Sequence, residues 1–134
     1  MEIINFKSFE NWLDLYKKAW EERNPDLVAE LFAEDIVMRE NPFSAPFDGL
    51  EAVKKYWEEG ARDSQMNIEF SYEVIAVKSN HAYAKWNASF DRISNKVHVK
   101  LDGILEVQFN ENQKAVIFNE WWHRKEIRPN IKIK

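Results

Sequence analysis

The hydrophobic pattern of this chain changes once, near residue 64, from helical to strand-like spacing. Before that point apolar residues recur at three- and four-residue steps, as on one face of an amphipathic helix. After it they alternate with polar residues, as in strands that bury one face. Helices followed by a long antiparallel meander define an α+β domain, in which the helices must cover the apolar face of a curved sheet.

Three helices are predicted in the first half of the chain. The first spans about residues 8–23, with Ser8 as its N-cap. The second is short and begins after Asn24, because an asparagine N-cap followed by proline is a typical helix start. The third spans about residues 50–61. Residues 41–49 contain two prolines and a glycine, so they are predicted to form a loop.

The second half is predicted to form four long strands, preceded by one short strand between the second and third helices. Alanines alternate with Trp86 on one face, and small residues on a concave face leave room for a helix or a cavity. The alternation of the first long strand slips at Ile75, which indicates a β-bulge. The predicted strands cover about residues 35–40, 68–77, 82–90, 97–109 and 115–125.

The charge of the chain argues against one class of partner. Its net charge is -4, from 19 basic and 23 acidic side chains. General nucleic-acid binders rely on a basic surface, so no nucleic-acid partner is expected. The local exception is the C-terminus, where residues 126–134 are predicted to be a solvated basic tail or a frayed strand rather than a site for an anionic partner. Its basic residues, with the two that precede it, are Arg124, Lys125, Arg128, Lys132 and Lys134.

Length and residue usage narrow the class further. The 134 residues fit one domain, predicted over residues 1–134. No apolar run approaches the roughly 20 residues that cross a bilayer, and the N-terminus lacks the features of a signal peptide. Cysteine is absent, which fits a reducing compartment, so a cytoplasmic protein without a membrane partner is expected. The three histidines lack metal-ligand spacing and no phosphate loop occurs, so neither a metal nor a cofactor is expected.

Six short segments carry a family pattern: Leu31-Phe32-Ala33-Glu34-Asp35, Arg39-Glu40-Asn41-Pro42-Phe43, Pro46-Phe47-Asp48-Gly49, Val53-Lys54-Lys55-Tyr56-Trp57, Leu101-Asp102-Gly103 and Asn119-Glu120-Trp121-Trp122. Together they resemble the SnoaL-like proteins of the NTF2-like superfamily, over about residues 9–124. The resemblance implies a cone-shaped α+β barrel with three N-terminal helices on a curved, mainly antiparallel sheet, a deep pocket, and homodimers. Relatives include ketosteroid isomerases, polyketide cyclases, limonene epoxide hydrolases and binding proteins without activity, so the fold does not define the function.

The resemblance to ketosteroid isomerases implies roles for two positions. Tyr16 matches a helix-one tyrosine that donates a hydrogen bond to a developing oxyanion. The carboxylate base of those enzymes stands just before the loop proline, where this chain has Asn41, or Glu40 in an ungapped alignment. Leu105 stands where those enzymes carry a second oxyanion donor.

The resemblance to limonene epoxide hydrolases implies a partly different set. Asn41 matches an asparagine that holds the attacking water, with Arg39 in place of a tyrosine. Glu120 matches a late-strand aspartate by its place before two aromatic residues. The strand with Trp86 and Ala88 should hold an Arg–Asp pair, and neither residue type is there.

Two faces compete for the interior at the first strand. Arg39 and Asn41 share one face, and Glu40 lies on the other, since strand side chains alternate. The resemblance favours Arg39 and Asn41 inward. The apolar neighbours Ile36 and Met38 favour Glu40 instead.

Glu120 lies between Phe118 and Trp122 on one face of the last strand. If that face is inward, the carboxyl is poorly hydrated, its pKa rises, and it can act as an acid or base near neutral pH. The alternative is a structural ion pair with a cation such as Arg39 or Lys85. In the opposite register the interior is lined by Asn119, Trp121 and His123.

The sequence therefore predicts a pocket for an apolar or aromatic small molecule, with isomerisation, cyclisation or dehydration as candidate acid–base reactions. Glu120, Tyr16 and Asn41 are the candidate catalytic residues, with Glu40 replacing Asn41 in the reversed register. The candidate ligand contacts are Arg39, Trp20, Trp57, Trp86 and Trp122.

The rival hypothesis is a non-catalytic module that associates through its outer sheet face. The resemblance implies homodimers formed through that face. In this chain the face would carry Tyr83, Lys85, Asn87, His98, Lys100 and Ile104.

Overall fold

The computed structural model describes residues 3–129, and its first element is helix α1, Phe6–Glu21. The helix starts in a capping box, in which the Ser8 N–H donates to Asn5 Oδ1 and the Asn5 N–H donates to Ser8 Oγ, both at 2.8 Å. The expected cap at Ser8 is therefore wrong by three residues, since Ser8 supplies the reciprocal bond from inside the helix.

Two further helices follow. A 3₁₀ turn precedes the first of them, and a π-helical turn follows the second. The 3₁₀ turn Pro25–Leu27 leads into α2, Val28–Leu31, and Asn24 caps the turn by accepting the Asp26 N–H at 3.0 Å. This confirms the predicted start. Helix α3, Leu50–Trp57, continues into a π-helical turn, Glu58–Arg62.

Six strands form one open, mostly antiparallel sheet. Its order is β2-β1-β6-β5-β4-β3, and β1 and β6 are its parallel pair. The register of β3 shifts between Val74 and Ala76, which confirms the slip predicted at Ile75. The short β2 lies inside the segment predicted to be loop. The strands are β1 Phe32–Arg39, β2 Phe47–Asp48, β3 Gln65–Lys78, β4 His81–Arg92, β5 His98–Phe109 and β6 Ala115–Ile127.

The helices cover the concave face of this sheet, so the predicted α+β architecture is confirmed. Helix α1 is fixed to β3 at Phe70, whose N–H donates to the Glu21 carboxylate at 2.9 Å and whose carbonyl accepts from Lys17 Nζ at 2.6 Å. Trp12 and Trp57 are buried and donate their indole N–H groups to backbone carbonyls. Their polar edges are thus satisfied inside an aromatic core.

The C-terminal segment is partly strand. Strand β6 runs to Ile127, so the predicted tail begins two residues later than residue 126, and Arg128 is exposed. Lys132 and Lys134 lie outside the described residues. Within residues 3–129, the helices are all too short or too polar to span a membrane.

Candidate functional site

A cavity of about 150 Å³ lies between helices α1 and α3 and the concave face of the sheet. Seven aromatic side chains contribute to its wall, and they include all four tryptophans predicted from the sequence: Tyr16, Trp20, Tyr56, Trp57, Trp86, Phe90 and Trp122. Of these, Trp86 is 1% exposed and its indole N–H has no hydrogen-bond partner within residues 3–129. The wall is thus mainly apolar, and its polar side chains are Glu40, Gln65, Arg92, Glu120 and Arg124, besides the two tyrosines.

Strand alternation brings Glu120 into this cavity. Phe118 is fully buried on β6, Trp122 lines the cavity, and Glu120 lies between them on the same face. Leu105 of β5 is its cross-strand partner. Glu120 is 7% exposed, and it is the one charged residue among residues 3–129 that is buried to this degree. The inward register is therefore the one the chain adopts.

The environment of Glu120 favours its protonated form. Burial raises the pKa of this carboxyl well above its ordinary value, and the nearby Glu40 raises it further. Within residues 3–129 no cation acts on it in the opposite direction. The alternative ion pair is wrong, because Arg39 and Lys85 are both exposed on the other side of the sheet. Glu120 consequently keeps its proton to a higher pH than an exposed glutamate.

Glu40 is the second acid of the cavity. The parallel pairing of β1 with β6 sets Met38 beside Phe118, so Glu40, the next inward residue, just after β1, approaches Glu120. The Tyr56 hydroxyl donates a hydrogen bond to the Glu40 carboxylate. Burial raises the pKa of Glu40, although the bond from Tyr56 opposes that shift by stabilising the ionised form.

Arg39 and Asn41 do not line the cavity, so the assignment taken from the resemblance is wrong at these two positions. Both side chains are exposed, and Asn41 Oδ1 accepts the Phe43 N–H at 2.9 Å in a surface turn. The cause is burial, because Ile36 and Met38 are fully enclosed and alternation then places Glu40 inward. The alternative kept open by the apolar neighbours is the one observed.

Tyr16 of α1 lines the cavity. It is 3% exposed, stacks on Trp12 and Phe118, and forms no hydrogen bond with another residue of the described range. Burial raises its pKa well above the ordinary value, and Glu120 adds to the shift. The phenol therefore stays protonated and is available as a donor toward a ligand.

Sequence reasoning missed Tyr56 as a polar member of the site. The residue shares the apolar face of α3 with Val53 and Trp57, so its spacing suggested a plain core residue. Burial raises its pKa well above the ordinary value, followed by the effects of Glu40 and Glu120. A tyrosine on a helix that packs beside an inward glutamate would have indicated this role. That packing is known only from the tertiary fold.

Stability should fall as the pH rises through the window in which Glu40 and Glu120 ionise. Both carboxyls have raised pKa values in the folded protein, so the folded state holds more protons than the unfolded chain above pH 4.5. The contribution of these two protons to the free energy of unfolding is complete below pH 4.5. It is lost as the pH rises through the raised pKa values of Glu40 and Glu120 in the folded protein. Urea unfolding at a series of pH values should show this decline, and it should be smaller in Glu120→Gln. Equal slopes in the two proteins would contradict the assignment.

An open curved sheet wrapped over three helices, with a cavity on its concave side, is the architecture of NTF2-like proteins. Within that class the chain belongs to the SnoaL-like domain family, whose model matches residues 12–117. This confirms the family inferred from the sequence. Within residues 3–129, no group of three His, Asp or Glu side chains is placed to hold a metal ion.

Three solved structures illustrate the likeness of fold. SalBIII, an epoxide hydrolase/cyclase-like enzyme in pyran ring formation in polyether salinomycin, has a TM-score of 0.73 at 14% identity, over 85% of this chain and 89% of SalBIII. A computationally designed 17-OHP binder has a TM-score of 0.76 at 12% identity, over 90% of this chain and 97% of the binder. An NTF2-like protein of unknown function from Exiguobacterium sp. 255-15 has a TM-score of 0.69 at 19% identity, over 84% of this chain and 98% of that protein. None of the curated proteins matches the sequence significantly.

Proposed function

We propose that this protein binds a mostly apolar small molecule in the cavity and carries out acid–base chemistry on it. The observation that carries the proposal is Glu120, a buried carboxyl that faces an aromatic cavity without a cation to neutralise it in the described range. A group in that position costs stability, and an arrangement of this kind is typical of a functional site rather than of a structural core.

The two acids differ in a way that suggests separate roles. Glu120 has the more strongly raised pKa, so it holds the proton and acts as the general acid. Glu40 accepts a hydrogen bond from Tyr56, which favours its ionised form, so it acts as the general base. Tyr16 donates to the ligand oxygen on which negative charge develops. Isomerisation, cyclisation and dehydration are acid–base reactions that such a set of groups can promote.

The comparisons support the proposal at the level of fold. SalBIII is described as epoxide hydrolase/cyclase-like, and the designed protein binds 17-OHP. Both proteins share this fold and are described in connection with small organic molecules, which supports a small-molecule ligand for this chain. At 14% and 12% identity neither comparison assigns a substrate to this chain.

Native mass spectrometry of the purified protein tests the proposal. A co-purified molecule that is present under native conditions and lost on denaturation is the expected result. Where the cavity is empty after purification, apolar ketones, lactones and epoxides should change the emission of the tryptophans that line it. A protein that carries no ligand and whose emission none of these compounds alters would contradict a ligand-binding function.

A second proposal concerns the outer face of the sheet, which we propose forms a homodimer. Ile104 and Trp121 are cross-strand partners on that face, and they are 39% and 47% exposed. Exposed apolar neighbours of this size favour association with another protein surface.

Ile104→Lys should convert the dimer to a monomer in sedimentation velocity experiments, because it places a charge within the apolar patch. Ile75→Lys is the matched control, since Ile75 is also exposed, at 56%, but lies on edge strand β3. The control should remain dimeric. A wild-type protein that is monomeric at micromolar concentrations, or equal effects of both substitutions, would contradict the proposal.

A further inference from the structure

Two arginines line the cavity together with its aromatic wall. Arg124 follows Trp122 on the inward face of β6, and Arg92 follows Phe90 on the inward face of β4. Both arginines lie toward the same end of the sheet, away from Glu120. Arg124 lies four positions after Glu120 along β6, a span of about 13 Å. The cavity therefore has acids at one end and guanidinium groups at the other.

Glu126 pairs mainly with Arg92, so it engages Arg124 only weakly. Glu126 lies 2.6 Å from Arg92 Nη1, and Arg92 is the main cause of the lowered pKa of Glu126. Arg124 Nε is 3.9 Å from the other oxygen of Glu126, beyond hydrogen-bond distance, and its side chain is 57% exposed. One carboxylate thus faces two guanidinium groups, and Arg124 has donors that form no hydrogen bond within residues 3–129.

We propose that the ligand is an amphiphilic carboxylic acid whose carboxylate binds Arg124 at the mouth of the cavity. Its apolar body would lie against Trp86 and Trp122, and its reacting oxygen would approach Glu120. A planar guanidinium matches a carboxylate in geometry, and Arg124, held only by a 3.9 Å ion pair with Glu126, can pair with one further negative charge. This inference rests on the proposed function and adds the chemical class of the ligand.

Octanoate and its methyl ester test the inference, because they share an apolar chain and differ in charge. Binding is followed by tryptophan emission in wild-type protein, Arg124→Gln and Lys125→Gln. Lys125 is the matched control, since it is a neighbouring exposed cation on the opposite face of β6. Wild-type protein should bind octanoate more tightly than the ester. Arg124→Gln should weaken octanoate about fivefold, the effect of a partly screened charged hydrogen bond, and leave the ester unchanged.

Unchanged affinity for the ester also shows that Arg124→Gln keeps the cavity intact. Equal weakening of octanoate by Arg124→Gln and Lys125→Gln would overturn the inference, because a general loss of charge would then explain it. Equal affinity of wild-type protein for acid and ester would overturn it as well, while the proposed ligand-binding function would stand. If neither compound alters the emission, this inference fails, and screening with ketones, lactones and epoxides decides the proposed function separately.

Discussion

Glu120→Gln should reduce turnover of the ligand identified by native mass spectrometry by at least about a hundredfold. General acid–base catalysis contributes factors of this size or more, and glutamine has the shape of glutamate without its transferable proton. The fold should persist, because the side chain faces the cavity and forms no ion pair with residues 3–129. Turnover is measured under saturating ligand, and the fold is checked by near-ultraviolet circular dichroism.

Glu106→Gln is the matched control for this substitution. Glu106 lies on neighbouring strand β5, and it accepts a hydrogen bond from Asn119 Nδ2 at 3.0 Å that glutamine can retain. It is absent from the cavity wall, so turnover should stay at the wild-type level. Retained turnover in Glu120→Gln would reject Glu120 as the acid or base. Equal losses in both variants would assign the effect to the sheet rather than to the cavity.

Gly103→Ala should destabilise the protein by about 3 kcal/mol, at the upper end of what overpacking costs. Gly103 lies on β5 between two tryptophans of the cavity wall, Trp86 on β4 and Trp122 on β6. A Cβ there would overlap the carbonyl oxygen of Trp121 and lie 3.0 Å from both Trp122 Cβ and Trp86 Cε2. Because the obstacle includes backbone, side-chain rotation alone cannot relieve it. Urea unfolding measures the loss.

Gly60→Ala provides the contrast. A Cβ at Gly60 meets no atom within 4 Å, and the residue lies in a helical turn where alanine is favoured over glycine. This variant should be more stable than wild type by up to about 1 kcal/mol. If Gly103→Ala unfolds at the same urea concentration as wild type, the inference that the neighbouring tryptophans leave no room for a Cβ at Gly103 is wrong.

Much of the fold was predictable because its signals are local. Helical spacing, period-two alternation and the Asn24-Pro25 start depend on neighbouring residues alone, and each predicts an element that the structure contains. The inward face of β6 stayed open between two registers, and the apolar neighbours Phe118 and Trp122 of Glu120 indicate the one observed. The position of α1's cap was not, because Asn5 and Ser8 both have cap-forming side chains.

The rest of the site depends on contacts between distant segments. Glu40 reaches Glu120 through the parallel pairing of β1 with β6, and no local pattern encodes that register. Tyr56 becomes a polar partner only when α3 packs beside β1. The family resemblance pointed to Asn41, and burial of the apolar residues of β1 overrode it. Local alternation was the better guide at this strand.

Carbon-13 NMR of glutamate side-chain carboxyls tests the central claim most directly, namely that an unneutralised acid faces an open cavity. Comparison with Glu120→Gln assigns the resonance of Glu120. We predict that it titrates well above pH 4.5 and that it shifts when a cavity ligand is added. A resonance that titrates near 4.5, or one that no ligand perturbs, would contradict the account.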